Sequence, residues 1–237
     1  MHDVAIGLFC KAPAAGQSKT RLSPPLLPEE CAALSACFIR DLSATIDEVA
    51  RDGAAIGYAI YTPLGTEPAL RALLPEGFRL QPQCEGALGV RLATATRELL
   101  IRHAGVILVN ADSPTLPASI LRAAADATQA GGIVLSPAHD GGYTLIGLSR
   151  THERVFEDIP WSTPAVHRRT VERAREIGVP VVGVPGWYDV DDAASLRLLR
   201  AELAGEALPF ASPGTGAAAP ATRAYLARRD ALAQTAR

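Results

Sequence analysis

The chain has 237 residues, of which 48% are hydrophobic and 20% charged, and its net charge is −2. This length gives room for one α/β domain with a full core, and the near-neutral charge argues against a basic face for nucleic acid. No stretch approaches the roughly 18 uninterrupted apolar residues that a membrane span needs. The first apolar run suits a buried strand rather than a signal peptide, and the four cysteines show no CxxC spacing. We therefore expect a cytoplasmic protein that binds neither nucleic acid nor membrane.

Short β-rich runs alternate with longer helical patterns along most of the chain. The β-rich runs lie at 4–9, 54–61, 106–110, 133–137, 143–148 and 179–184, and the helical patterns lie near 28–51, 86–103, 117–130 and 163–177. Such alternation indicates βαβ units, in which helices join parallel strands and cover both faces of the sheet. The sequence therefore predicts a single Rossmann-like α/β fold with a mostly parallel sheet.

The alternation ends near residue 204. We predict one domain over residues 1–204, followed at 205–237 by a Gly/Pro/Ala-rich linker and a short amphipathic C-terminal helix. The linker composition predicts few contacts with the sheet, so that removal of 205–237 should leave the site intact. Apolar side chains in the tail, Tyr225, Leu226 and Leu232, would suit a homodimer contact.

The segment after the first strand brings cations to a flexible loop. It reads K-A-P-A-A-G-Q-S-K-T-R-L over residues 11–22. Prolines and a glycine keep it out of a helix, so its backbone N–H groups and basic side chains can surround phosphates. It is not a Walker A loop, because the first glycine of that motif is absent. The candidate phosphate-binding residues are Lys11, Gly16, Lys19, Thr20 and Arg21, and the alternative is a solvated basic loop.

Carboxylates follow two later strands. Asp112 comes directly after the run that ends at residue 110, and Asp191 lies in the acidic segment after the last run. Ligands of parallel sheets bind at the carboxyl ends of the strands, and two carboxylates with phosphate and water can complete an octahedral Mg²⁺ site. The alternative for each segment is a helix cap. Asp112 or Ser113 could cap the helix near residue 117, and Asp192 could cap the helix that begins directly after Asp192.

A third polar segment, Asp140-Gly141-Gly142-Tyr143, separates two β-rich runs. Its two glycines let the backbone pass close to a ligand, and Asp140 and Tyr143 could contact a base, a sugar or an acceptor hydroxyl. The same pattern is typical of the turn of a β-hairpin, which remains the alternative.

Together these segments resemble a known family. The combination of K-A-P-x-x-G-x-x-K-T-R-L, D-S-P, D-G-G-Y-x-L-I-G-L, W-S-T and D-V-D resembles bacterial GT-A-type transferases associated with radical-SAM and selenium genes, often labelled arsenosugar-biosynthesis glycosyltransferases. Related enzymes include nucleotidyltransferases such as the deazaflavin-pathway guanylyltransferase. The resemblance implies a GT-A, or nucleotide-diphospho-sugar transferase, fold. It also implies that Asp112 and Asp191 hold Mg²⁺ or Mn²⁺, and that Lys19 and Arg21 hold phosphates.

The chain departs from the family pattern at two places, one of which is Asp192-Ala193-Ala194-Ser195, where related nucleotidyltransferases carry a D/N-T-P-E-D core. Family members commonly carry an acidic residue in G-D-L-G-x-R, whereas this chain has Ala87 there, in Gly86-Ala87-Leu88-Gly89-Val90-Arg91. Any role of that carboxylate is missing.

Three functions fit these residues. The first is nucleotidyl transfer from a nucleoside triphosphate to a small acceptor, such as a phosphorylated one, with Lys19, Arg21, Asp112 and Asp140 as the catalytic residues. The second is glycosyl transfer from a nucleoside-diphosphate sugar, with Asp140 orienting or deprotonating the acceptor. The third is a nucleotide-binding protein without catalytic activity, an alternative suggested by Ala87 and by the altered segment Asp192–Ser195. The expected partners are a nucleotide and a small-molecule acceptor.

Overall fold

The computed structural model describes residues 4–212 and 214–235. Within this range the strands are β1 (Val4–Lys11), β2 (Ala55–Thr62), β3 (Arg79–Pro82), β4 (Gly105–Asn110), β5 (Ile133–Pro137), β6 (Tyr143–Leu148) and β7 (Val181–Gly183). The helices are α1 (Pro28–Val49), α2 (Glu67–Arg71), α3 (Leu88–Leu100), α4 (Ala118–Ala130), α5 (Val166–Glu176), α6 (Ala193–Leu203) and α7 (Pro220–Thr235). Short 3₁₀ turns occur at Thr20–Leu22 and Glu153–Phe156, and a π turn at Ala50–Ala54 follows α1.

The strands form one sheet in the order β3-β2-β1-β4-β6-β5-β7. β6 runs antiparallel to β4 and β5, whereas the other neighbouring strands are parallel. This arrangement confirms the mostly parallel α/β sheet that the alternating pattern predicts. It also confirms the hairpin alternative for the segment 138–142, since that segment joins β5 to β6.

Two short elements, β3 and α2, are absent from the sequence prediction. β3 has four residues, and of these only Gln81 is fully buried. A short edge strand with this composition carries no apolar run, so its pattern does not stand out. The predicted helix at 163–177 also starts late, because α5 begins at Val166 after a turn in which the Thr163 hydroxyl accepts a hydrogen bond from the Ala165 N–H.

Helices cover both faces of the sheet. One hydrophobic cluster packs α1 and α4 on one face, with fully buried Phe38 and Leu121 among its members, and the other packs α3 and α5 on the opposite face through side chains such as Leu99 and Ala174. Burial on both faces explains why the strands read as continuous apolar runs. None of the helices in the described ranges is both long and apolar enough to cross a membrane.

The C-terminal helix α7 packs against α1. The carboxylate of Asp41, a residue of α1 that is 3% exposed, accepts hydrogen bonds from the N–H groups of Ala221 (2.9 Å) and Thr222 (2.8 Å) and so satisfies the first turn of α7. Leu226 is buried in the main hydrophobic cluster, which removes it from the set of side chains expected at a dimer contact. The domain division at residue 204 stays a prediction.

Candidate active site

A cavity of about 500 Å³ opens at the carboxyl ends of β1 and β4. Its walls come from the loop after β1, the residues after β4, the β5–β6 hairpin and the segment after β7, together with α3 and the turn before α5. Most of the residues predicted from the sequence line it, namely Lys11, Lys19, Thr20, Arg21, Asp112, Asp140, Gly142, Tyr143 and Asp191. Gly16 and Gly141 lie outside the lining. The sheet topology therefore brings distant segments together, such as those of Lys19 and Asp191, which are 172 positions apart in the chain.

Lys19 lies at the centre of the charged side chains. Its Nζ is 2.6 Å from Oδ1 of Asp112, 2.9 Å from Oδ1 of Asp191 and 2.6 Å from the carbonyl oxygen of Val190, and its side chain is 6% exposed. Burial acts to lower the pKa of the Lys19 ammonium, but attraction by Asp112 and Asp191 outweighs it and the pKa lies above its ordinary value. Lys19 therefore forms ion pairs with both carboxylates, and their attraction favours its charged form.

The backbone around Lys19 explains how a lysine so close to the surface turns inward. Lys19 adopts the left-handed conformation (φ 49°, ψ 40°) just before the 3₁₀ turn at Thr20–Leu22. This conformation is uncommon for a residue with a Cβ and marks a locally constrained backbone. Gly16, further back in the loop, also has a positive φ of 70° and has open space around it. Gly16 therefore contributes to the course of the loop, and its predicted role in phosphate binding stays a prediction.

Arg21 is the exposed cation of the cluster. Its Nη2 is 2.6 Å from Oδ2 of Asp191, while 69% of its side chain is exposed. Asp191 thus bridges a buried ammonium and an exposed guanidinium through its two oxygens. An exposed guanidinium at the edge of a cavity can turn to a phosphate at little cost, because an exposed ion pair is weak.

Asp112 is tied to the segment after β7 through the backbone as well as through Lys19. The carbonyl oxygen of Asp112 accepts a hydrogen bond from the N–H of Val190 (2.9 Å). The helix-cap alternative for Asp112 and Ser113 is wrong, because the N-cap of α4 is Pro117 and no side chain caps that helix. The Ser113 hydroxyl instead lies 3.1 Å from Oδ1 of Asn110. The Asp112 side chain is left to face the cavity.

In the acidic segment after β7, the adjacent residues Asp191 and Asp192 have different roles. Asp192 is the N-cap of α6, where its carboxylate accepts hydrogen bonds from the N–H groups of Ala194 (2.9 Å) and Ser195 (2.8 Å). This confirms the capping role that the sequence predicts for Asp192. Asp191 is held by its own N–H, which donates to the Ser195 hydroxyl (2.9 Å), and points its carboxylate to Lys19 and Arg21.

Asp189 is a lining residue absent from the predicted site. Burial, followed by the nearby carboxylates of Asp140, Asp191 and Asp112, raises the pKa of Asp189 to about 7. Four carboxylates thus face one cavity, with Lys19 and Arg21 paired to two of them. The alternation in D-V-D is the one sequence signal for Asp189, since residues two apart in an extended segment share a side.

The β5–β6 hairpin presents the third polar segment. Oδ1 of Asp140 accepts a hydrogen bond from the N–H of Gly142 (2.8 Å), which stabilises the turn, and the carboxylate still lines the cavity. Gly141 has a φ of +90° and packs so closely on Pro164 that a Cβ would clash with its backbone. The Tyr143 hydroxyl is buried beside Thr170, so the ring of Tyr143 lines the cavity more than its hydroxyl does.

The oxygen atoms around Lys19 are those that a divalent cation prefers. Carboxylate oxygens of Asp112 and Asp191 and the carbonyl oxygen of Val190 converge on Nζ, and phosphate and water could supply the other ligands of a hard cation. Among the described residues, no group of three or more His, Cys, Asp or Glu side chains is arranged to hold a metal ion. A metal could use these oxygens only if Lys19 shared or released them.

The chain is similar over nearly its whole length to a solved protein of Desulfovibrio desulfuricans G20 described as a "putative nucleotide-diphospho-sugar transferase". The two are 28% identical with a TM-score of 0.81, and the match covers 99% of this chain and 98% of that chain. No curated protein matches the chain.

Two more distant structures share the fold. CMP:2-keto-3-deoxy-manno-octonic acid synthetase in complex with CTP is 13% identical, with a TM-score of 0.55 and coverage of 86% of this chain and 99% of that chain. The 4-diphosphocytidyl-2C-methyl-D-erythritol synthase of Anaerococcus prevotii DSM 20548 is 10% identical, with a TM-score of 0.54 and coverage of 86% and 96%. At these identities the likeness is one of fold, and it confirms the nucleotide-diphospho-sugar transferase fold that the resemblance implies.

The family model described as "Uncharacterized protein conserved in bacteria (DUF2064)" matches residues 45–163, which is half of the chain. The matched segment includes β4, the Asp112 loop and the β5–β6 hairpin, and it ends before the segment after β7. The chain therefore belongs to the DUF2064 family of bacterial proteins.

Proposed function

We propose that the chain is a nucleotide-dependent transferase whose cavity binds the phosphates of a nucleoside triphosphate and transfers the nucleotidyl group to a small acceptor. The observation that carries the proposal is the convergence of cations from the loop after β1 with carboxylates from the segments after β4 and β7. Phosphoryl chemistry depends on charge neutralisation and positioning more than on covalent catalysis, and this constellation supplies both.

The cations of the first loop would hold the phosphates. Arg21 is exposed and can reach a phosphate directly, and Lys11 and Thr20 line the same side of the cavity. The Lys19 ammonium would attract the phosphates electrostatically. It would either keep its ion pair with Asp112 or turn from Asp112 to the phosphates when they bind. In the reaction an acceptor oxygen attacks the α-phosphorus, and the bond from that phosphorus to the β-phosphate oxygen breaks to release pyrophosphate. The proton of a hydroxyl acceptor would pass to a carboxylate that lines the cavity, such as Asp140.

Asp112 and Asp191, with Asp189 next to them, are the residues that would hold Mg²⁺ or Mn²⁺. When bound, such an ion neutralises negative charge on phosphate oxygens and on the leaving pyrophosphate. The chain's own contribution is to hold these carboxylates at a fixed place, through the Asp112–Val190 backbone hydrogen bond and the Asp191–Ser195 hydrogen bond.

A second candidate is glycosyl transfer from a nucleoside-diphosphate sugar. The similarity to the Desulfovibrio desulfuricans protein favours it. In this reaction Asp140, which lines the cavity from the hairpin, would orient or deprotonate the acceptor hydroxyl. The narrower placement among radical-SAM and selenium-associated transferases belongs with this candidate, and inspection of the neighbouring genes tests it.

Product analysis separates the two candidates. The protein is incubated with Mg²⁺, a mixture of small hydroxyl and phosphate acceptors, and either nucleoside triphosphates or nucleoside-diphosphate sugars. Pyrophosphate release from a triphosphate supports nucleotidyl transfer, whereas release of a free nucleoside diphosphate from a sugar nucleotide supports glycosyl transfer. Binding without either product would contradict both.

Asp112→Asn is the variant control for this assay. The change is nearly isosteric and removes one carboxylate, so turnover should be lost while the protein stays folded. Asp126→Asn, an exposed substitution on α4, should leave turnover unchanged.

A further inference from the structure

The cavity has a charged half and an apolar half. The charged half carries the cations and carboxylates described above. The apolar half lies between α3 and α5 and is lined by Phe9, Leu88, Leu92, Leu108, Tyr143 and Trp161. These side chains belong to, or pack against, the hydrophobic cluster on the α3 face of the sheet. The apolar half is thus a part of that core which stays open to the site.

Aromatic rings form much of the accessible surface of the apolar half. Phe9, Tyr143 and Trp161 are half-buried, whereas Leu92 and Leu108 at the bottom are 6% and 3% exposed. The rings of Tyr143 and Trp161 meet edge to face, with their centroids 6.4 Å apart. Such walls favour a ring or another apolar body in contact with them.

Two hydroxyl groups that line this half are engaged within the protein. The hydroxyl of Thr144 donates to Ser136 Oγ (2.9 Å) and that of Thr163 donates to the Pro160 carbonyl (2.7 Å). Arg91, whose guanidinium stacks on Phe9 at 5.9 Å, is not part of the lining and donates to Gln83 (2.7 Å). Among the described lining residues, every cation comes from the end of β1 or from the loop after it, and none from the apolar half.

We propose that the apolar half binds the acceptor, and that the acceptor is a neutral molecule with an aromatic or other apolar ring and a hydroxyl that reaches the carboxylates. The inference rests on the proposed function, because it assigns the charged half to nucleotide phosphates. A phosphate in the apolar half would lose its hydration with no cation to replace it. A nucleobase would bury several donors and acceptors without partners, which is costly. A neutral ring meets neither penalty.

Fluorescence quenching with a matched pair of probes tests this assignment. The probe 4-nitrobenzyl alcohol carries a neutral nitroaromatic ring and a hydroxyl, and 4-nitrobenzyl phosphate carries the same ring with a charged group. Trp161 is the reporter, since the other tryptophan, Trp187, is 0% exposed. The alcohol should quench saturably and bind at least tenfold more tightly than the phosphate, and Trp161→Phe should abolish most of the quenching.

Two substitutions on one helix turn give the control. Leu88→Asp places a carboxylate in the apolar half, and Val90→Asp places the same group two residues on, at a position that is 55% exposed. Both positions lie in the first turn of α3, where an acid is compatible with the helix. Leu88→Asp should weaken binding of the alcohol at least tenfold, and Val90→Asp should change it less than twofold.

The outcomes separate this inference from the proposed function. Equal or tighter binding of the phosphate, unchanged binding by Leu88→Asp, or displacement of the alcohol by uncharged nucleosides would overturn the assignment of the apolar half. Affinity for nucleoside triphosphates, measured separately with Mg²⁺, is the readout for the charged half. A protein that binds the alcohol as described but no nucleotide would retain this apolar site and lose the proposed function.

Discussion

Lys19 is the residue on which the charge balance of the site depends. Its ammonium lies between two carboxylates at the point where a divalent cation would also find its oxygen ligands. An ammonium and a divalent cation placed so close together repel each other. The two must therefore compete for Asp112 and Asp191 as long as no phosphate is present to attract Lys19 away.

This competition predicts an unusual effect of Lys19→Met. Removal of the ammonium should raise the affinity of the free protein for Mn²⁺ or Mg²⁺ about tenfold or more, which corresponds to about 1.4 kcal/mol. Calorimetric titration of the metal into nucleotide-free protein measures the change. Lys11→Met, which removes an exposed cation of the same loop, should have little effect. Unchanged or weaker metal binding by Lys19→Met would contradict the competition.

The sequence predicts which residues belong to this cluster, but it does not predict which of their side chains are in contact. Lys19, Asp112 and Asp191 each follow a strand of the predicted parallel sheet, so their convergence at one edge could be expected. The direct contact of Lys19 with both carboxylates could not be expected, because no spacing in the chain reports the inward, left-handed turn at Lys19. Asp189 was missed for a similar reason, since its burial depends on three segments that meet only in the fold.

At the scale of elements, the start of α3 has no side-chain cap, in contrast to α6, which Asp192 caps. Its N-cap is Ala87, with extended backbone angles (φ −64°, ψ 160°) that suit a capping residue but with no side-chain hydrogen bond to the first turn. This is the position at which the resembling family commonly carries an acidic residue. A carboxylate at residue 87 of this chain would be placed to cap α3.

Ala87→Asp should stabilise the protein by about 0.5–2 kcal/mol, because the new carboxylate can accept hydrogen bonds from free N–H groups of the first turn. Urea unfolding of the variant and the parent measures the change. Ala87→Asn should recover much of the gain, since the cap needs an oxygen acceptor more than a charge. A variant no more stable than the parent would show that the first turn of α3 is satisfied in another way.

The elements also show where a single sequence stops being informative. The long helices and the buried strands were predicted because their apolar periodicity is strong, as in β1 and α1. The edge strand β3 is short and mostly polar, so its sequence does not indicate a strand. It is recognised in the structure by its parallel pairing with β2. The hairpin turn at Asp140 and its cavity-lining position proved compatible, since one carboxylate does both.

At the scale of the whole molecule, the tail is integrated with the segments that carry the site. The ring centroid of Phe210 lies 3.8 Å from that of His139 and 6.0 Å from that of Tyr188. Phe210 therefore contacts both the hairpin and the segment after β7. The N–H of Ala217 donates to the carbonyl of Thr115 (2.8 Å), in the segment after β4. The linker composition predicts few contacts with the sheet, and these contacts with the segments that follow the strands run against that expectation. A Gly/Pro/Ala-rich composition carries no periodic pattern from which packing partners could be predicted.

A pair of leucines tests whether the tail packs on the domain as described. Leu226 is 4% exposed and lies in the main hydrophobic cluster, whereas Leu232 in the same helix is 64% exposed. Leu226→Ala should lower the free energy of unfolding by about 2–4 kcal/mol, and Leu232→Ala should change it by less than about 0.5 kcal/mol. Equal, small effects in urea unfolding would mean that α7 contributes nothing to the core, as an appended tail would.

The central claim is that the charged half of the cavity binds the phosphates of a nucleotide. Substitution of Arg21 tests this claim most directly, because the Arg21 side chain is 69% exposed and can be removed without disturbing the core. The measurement is calorimetric titration of nucleoside tri-, di- and monophosphates, with Mg²⁺, into the Arg21→Met variant. Arg97→Met is the control, because it removes a half-exposed arginine outside the cavity. Arg21→Met should lose about 1.5–3 kcal/mol of triphosphate binding, or about 10- to 150-fold in affinity, and far less of monophosphate binding. Equal losses below about 0.5 kcal/mol for all three nucleotides, matching the control, would contradict the claim.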